Sequence, residues 1–184
     1  MKIRHLILML LDAWGGRIDS KTKLQKEIYF ISLLLNRDLG FKAHYYGPYS
    51  TEVENALDEL IGAGFVDIKR NIWGVNIRYG FEAKKYDFSL TGSGRKFARI
   101  LAGESPDEHR VIRKFVGKLR EIKNPDYLSL SIAAKAYFIL NKEGRPLTKK
   151  QIREKARDFG WKVGENDIDT AIDILKNLDF VKEQ

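Results

Sequence analysis

The chain contains no cysteine, which removes disulfides, zinc–thiolate sites and thiol nucleophiles together. The same absence agrees with a reducing compartment. The longest apolar run near the start, Leu6 to Leu11, stops at Asp12. That is far short of the roughly 20 residues a membrane-spanning helix needs, and no signal-peptide cleavage site follows it. A cytoplasmic protein with no membrane partner is the expectation. Histidine is scarce: His5, His44 and His109 are scattered without metal-binding spacing. There is no nucleophile elbow, no Gly-rich dinucleotide motif and no carboxylate pair. The chain therefore predicts no enzyme, no cofactor and no metal. Glutamine is rare beside abundant Glu, Lys and Arg, a balance that suits a heat-adapted source.

What is present builds a folded core. Of 184 residues, 43% are hydrophobic and 32% charged, with a net charge of +8. The sequence pI is near 9.5, so a polyanion, nucleic acid first, is the partner this balance favours.

Along the chain, Ile3, Leu6, Ile7, Leu10 and Leu11 recur at helical spacing until Gly15-Gly16. Thr22 to Gln25 has the Thr-x-x-Gln spacing of a capping box, entering a helix to Leu35 that is apolar on most of its faces. Phe41 to Tyr46 reads as a short extended piece, and Gly47-Pro48 enforces a turn. Thr51 to Glu54 repeats the box, and the helix after it carries Val53, Ala56, Leu57 and Leu60 as far as Gly62-Ala63-Gly64. Phe65 to Arg70 reads as a strand. Asn71 to Gly80, with Trp73, Val75, Ile77 and Tyr79, reads as a hairpin, and Lys84 to Leu90 as the return strand. Thr91 or Ser93 opens a further helix. Gly103 to Asp107 is the expected linker. Residues 107 to 123 carry an amphipathic stripe of Val111, Phe115, Leu119 and Ile122, read as intramolecular packing ahead of a dimer seam.

The second half echoes the first. Leu147 to Ile152 repeats the box, Ile168 to Leu175 matches Val53 to Leu60, and Phe180-Val181 falls where Phe65-Val66 does. The predicted class is α+β and mostly helical: tandem winged helix-turn-helix units joined by a connector helix. The units are 1–103, a linker and connector helix at 104–126, and a second unit with reduced wing at 127–184.

Lys23-Leu24-Gln25-Lys26 with Tyr29, then Tyr46-Gly47-Pro48-Tyr49-Ser50 and Val53, resembles the YwgA-like proteins. It is also similar to the wider Panacea/SocA-type antitoxin-like group, over about residues 1 to 100. That resemblance implies no assigned chemistry for the first and toxin neutralisation through protein contacts for the second. Phe88-Ser89-Leu90-Thr91-Gly92-Ser93-Gly94 resembles the segment with which winged-helix transcription regulators leave the wing. The second unit and this ending depart from the antitoxin pattern.

For function, the most informative lack is of positive charge between Thr51 and Ala63, where Glu52, Glu54, Asp58 and Glu59 face outward. Asp167, Asp169 and Asp173 do the same in the second unit. Phosphates repel such faces, so neither helix suits major-groove reading. The candidate nucleic-acid-binding cations are Lys21, Lys23 and Lys26 after Asp19, then Lys69, Arg70, Arg78, Lys84 and Lys85 around the wing, then Arg95 and Lys96 at the next helix start. Tyr46, Gly47, Pro48 and Tyr49 form the turn motif. The expected function is a DNA-binding regulator that grips the phosphates of double-stranded DNA through its wing, as a homodimer. The alternative is a protein-interaction module whose acidic helix faces meet a basic protein partner.

Overall fold

The computed structural model describes residues 2–72 and 84–182. The chain is mostly helical with one small sheet. Its order is α1 (Ile3–Ala13), β1 (Arg17–Ile18), α2 (Lys21–Leu34), α3 (Thr51–Gly62), β2 (Val66–Ile72), β3 (Lys84–Leu90), α4 (Gly92–Glu104), α5 (Pro106–Glu121), α6 (Tyr127–Glu143), α7 (Lys149–Asp158) and α8 (Glu165–Asn177). The α+β class is the one expected. Among the described residues no helix is long and apolar enough to cross a membrane.

The apolar run Leu6–Leu11 sets the centre. All of it is inaccessible to solvent, because α3, α4, α5 and β3 all pack on α1. Fully burying such side chains contributes about 1.5–3 kcal/mol each. After α1, Gly15 and Gly16 take positive φ and turn the chain into β1. Periodicity gives no sign of that strand, since two residues are too few to show a period.

The sheet is antiparallel in the order β1-β3-β2. Arg17 stands opposite Ser89, and Val66, Ile68, Lys69 and Arg70 stand opposite Leu90, Phe88, Asp87 and Tyr86. Ile18, Val66, Phe88 and Leu90 are the buried members. The hairpin expected over Trp73, Val75, Ile77 and Tyr79, and Arg78 with it, lies outside the described residues.

Two expected capping boxes are corrected. Ser20, not Thr22, caps α2, its Oγ accepting from the Lys23 N–H at 3.2 Å. Ser50, not Thr51, caps α3 in the same way through the Val53 N–H. Gln25 and Glu54 are thereby released for longer-range bonds. The third box is real, with Thr148 and Gln151 each accepting from the other's backbone N–H.

The linker expected at Gly103–Asp107 shrinks to Ser105, which ends α4 and begins α5. Pro106 falls in the first turn, where its missing N–H costs nothing. Ile112, Phe115, Val116 and Leu119 of α5 are buried against α1 and α2, so the stripe is intramolecular. In the second half, Ile168, Ala171 and Leu175 are buried, the counterparts of Val53, Ala56 and Leu60. Phe180 and Val181 join no strand. Instead the Phe180 ring packs 5.0 Å from Phe30 and 4.8 Å from Tyr137, which ties the two halves together.

Candidate functional site

The expected cations divide into an exposed set and an interior set. Lys69, Arg70, Arg95 and Lys96 are exposed. Side chains alternate along a strand, so neighbouring Lys69 and Arg70 project from opposite faces of the β2–β3 ribbon. Lys69 shares its face with Asp87, which takes Arg17 in an ion pair at 3.0 Å. Arg70 shares the other face with Tyr86, its guanidinium 5.5 Å from the ring centroid. Lys84 and Lys85 begin β3. Arg95 folds back to donate to the Gly15 carbonyl at 3.3 Å. Lys21 is half-buried and paired with Glu54, and that pairing, then the Tyr49 hydroxyl, holds the Glu54 carboxyl below its usual range.

Lys23 and Lys26 are not on that surface. Both are buried, Lys26 completely, because α2 has apolar residues on nearly every side and no solvent face remains for them. As phosphate contacts they are corrected: a cation sealed in the core cannot touch a polyanion. Lys23 Nζ meets Asn124 Oδ1 at 2.5 Å and lies 4.9 Å from the Trp14 ring. Lys26 Nζ donates to the Pro48 carbonyl at 2.7 Å. Burial, with Lys135 nearby, brings its pKa down to about 7.

The turn motif is what Lys26 holds. Lys42 and Tyr49 exchange both backbone hydrogen bonds at 2.9 Å, and His44 and Gly47 bond across a two-residue Tyr45-Tyr46 turn. Gly47 takes φ +94°, and a Cβ there would lie 3.0 Å from Lys135 Cγ and 3.3 Å from the Ser131 carbonyl oxygen. Three carbonyls of the hairpin accept from side chains: His44 from Trp161 Nε1 at 2.7 Å, Tyr46 from the Ser131 hydroxyl, and Pro48 from Lys26. Where the hairpin meets α3, the Gln25 amide both donates to the Ser50 carbonyl at 2.9 Å and accepts from its N–H at 3.1 Å. The Ser50 hydroxyl donates to the Leu39 carbonyl at 2.5 Å. The Lys-Leu-Gln-Lys and Tyr-Gly-Pro elements are thus two sides of one clamp.

Sequence reasoning misses Gln25, Glu27, Ser131, Lys135 and Trp161 as members of this centre. The usable signal is that a helix apolar on most faces must bury its polar residues too. Glu27 is the extreme case. Trp14 Nε1 donates to its Oε2 at 2.6 Å, its Oε1 has no hydrogen-bond partner among the described residues, and burial pushes its carboxyl up to about 8.

On the hairpin's outer side, Gly40, Lys42, Ala43, His44, Tyr49, Thr51 and Glu52 line a cleft of about 260 Å³. Tyr45 beside it is 58% exposed. Of the α3 acids, Glu59 pairs with Arg4 at 2.5 Å and Glu54 with Lys21, while Glu52 and Asp58 face solvent. Among the described residues no cluster of His, Asp and Glu could hold a metal.

A mostly helical α+β frame with a small antiparallel sheet and a polar clamp at its centre is the class these features define. Over 105 residues, 56% of this chain, the sequence is 30% identical to the uncharacterized protein YwgA of Bacillus subtilis strain 168. The aligned part spans 58% of YwgA, a little over half of that relative's length. This match supports a YwgA-like family for about half of the chain. No family model matches the chain.

Proposed function

We propose that the chain is a winged-helix DNA-binding protein, a cytoplasmic regulator that grips the phosphates of double-stranded DNA through the β2–β3 ribbon and the start of α4. The observation that carries this reading is topological. The order α1-β1-α2-α3-β2-β3 with sheet order β1-β3-β2 is the order in which winged-helix domains present a ribbon beside their third helix. Exposed Lys69 and Arg70 on that ribbon, with Arg17, Arg95 and Lys96 alongside in sequence or pairing, supply charge that phosphates attract. The third helix is acidic, so sequence reading in the major groove is not part of the proposal. α6–α8 form the second, wingless helix-turn-helix unit of the tandem in this reading, and the active species is a homodimer.

The test is fluorescence anisotropy with a labelled duplex across a salt series. The expected result is binding that weakens steeply with salt. Lys69→Glu combined with Lys96→Glu should weaken it on any sequence and flatten the log–log salt slope by about 1 per lost phosphate contact. No binding at 50 mM salt, or a double variant that binds as the parent does, refutes it.

A second reading rests on the solvent-facing Glu52 and Asp58 beside the 260 Å³ cleft and exposed Tyr45. In it, the chain is an antitoxin- or adaptor-like module related to the Panacea/SocA-type group, and a basic protein docks on α3. Co-purification of a protein that Asp58→Lys releases, without duplex binding, would select it.

A further inference from the structure

The hairpin of residues 42–49 is gripped from two sides by lysines. Lys26 of α2 reaches the Pro48 carbonyl at 2.7 Å. Lys135 of α6 lays its Cγ against Gly47 and its Nζ 5.5 Å from the Trp161 ring centroid. Among the described residues neither lysine forms an ion pair with a carboxylate, whereas Arg145, Lys149, Arg153 and Lys155 of the second half each find one. The titratable groups facing them are few. The hairpin contributes His44, Tyr46 and Tyr49; α3 contributes Glu54, which sits beyond Tyr49 and is occupied by Lys21; Glu27 of α2 turns to Trp14. The segment after α7 contributes the uncharged Trp161.

We infer that this hairpin is a proton-released latch: charging both lysines, which share one interface and have no counter-ion among the described residues, loosens the hairpin from α2 and α6. Release would break the bonds from the hairpin's carbonyls to Ser131 and Trp161 and so free the hairpin from the second half, while α2 and α6 stay packed. The direction follows from linkage. Burial lowers the pKa of Lys26 to about 7 and that of Lys135 to about 8, from 10.5. The closed state therefore binds protons less readily than an open one in which both side chains meet water, and acid favours opening.

The experiment is amide hydrogen exchange on the full chain from pH 6 to pH 9, corrected for intrinsic rates. It reads the Lys42, His44, Gly47 and Tyr49 amides, which bond across the hairpin, against amides of α1. Hairpin protection should fall by more than about tenfold from pH 9 to pH 6 while α1 holds, since each unit of pKa difference is a tenfold bias. Lys26→Met should leave only the smaller response that Lys135 carries. Lys135→Gln removes the repelling neighbour and should move the midpoint to higher pH. Hairpin and α1 protection falling in parallel, a response undiminished in Lys26→Met, or an unmoved midpoint in Lys135→Gln overturns the latch. If Lys26→Met does not fold, Lys135→Gln decides alone.

Discussion

Replacing Gln25 with Met tests the clamp at the point where sequence and structure part. Gln25 is buried, and its amide makes two hydrogen bonds to the Ser50 backbone. Met is close in shape and makes neither. The Ser50 carbonyl keeps a second donor, the Glu54 N–H at 3.2 Å, so its loss is modest, about 0.5–1 kcal/mol. The Ser50 N–H keeps nothing, and an unsatisfied buried donor costs about 1–3 kcal/mol. Met gains a little from burying an apolar end instead of an amide, which leaves a net cost of about 2–3 kcal/mol. Gln151→Met is the control, because that side chain only completes a surface capping box; it should cost about 0.5–1 kcal/mol. Urea unfolding followed by far-UV circular dichroism reads both from the shift in midpoint at constant slope. If Gln25 served the helix start, as its spacing from Thr22 suggests, the two losses would be equal and Thr22→Ala would hurt more than Ser20→Ala. Equal losses, or a cost below about 0.5 kcal/mol for Gln25→Met, would refute the clamp.

Two further outcomes follow from buried positions. Gly94→Ala places a methyl against the Phe65 carbonyl oxygen and 3.1 Å from its carbon; backbone gives way poorly, so the variant should lose more than about 3 kcal/mol in the same urea assay, whereas Gly92→Ala, with open space around it, should lose far less. Glu27→Gln probes the buried acid: a carboxyl raised from 4.5 to about 8 keeps its proton in the folded state after the unfolded chain has released it. Its contribution is complete below about pH 4.5 and is lost as pH rises through about 8, so the difference in stability between parent and variant should move by up to about 1.4 kcal/mol per pH unit in that window. A difference that stays constant from pH 5 to pH 8 would show that Glu27 is not held neutral.

The legible parts of the fold are those with a period or a punctuation mark. Leu6–Leu11 announces a central helix, Phe65–Arg70 and Lys84–Leu90 a strand pair, and Thr148–Gln151 a cap that forms as read, whereas the turn expected at Gly47-Pro48 falls at Tyr45-Tyr46, within the stretch expected to be extended. Three kinds of feature stay hidden. β1 is too short to show alternation. Ser20 and Ser50 each compete with a threonine one or two residues on, and only the chain's path decides which hydroxyl faces the open helix end. The hydrogen bonds of Lys23, Gln25 and Lys26 reach 101, 25 and 22 residues along the chain, distances at which local spacing carries no information.

Net charge misleads for a related reason, because it counts cations without saying what they already serve. Lys23 and Lys26 are interior. Arg120 donates to the Ala13 carbonyl at 2.8 Å and stacks 5.3 Å from the Trp14 ring, and Arg95 takes the Gly15 carbonyl. Both therefore sit at the C-terminal end of α1, where the helix dipole favours positive charge. Of the exposed candidates, Arg17 is bound to Asp87 and Arg70 to Tyr86, which leaves Lys69 and Lys96 uncommitted among the described residues. If DNA is the ligand, each phosphate contact steepens the log–log salt dependence by about 0.9. Two uncommitted cations give a slope near −2, and recruiting Arg17, Arg70 and Arg95 brings it to roughly −4.5. A measured slope in that interval, flattened by Lys69→Glu and Lys96→Glu, fits contacts made by the ribbon and α4. A slope that those substitutions leave unchanged would refute the ribbon and the start of α4 as the contact surface.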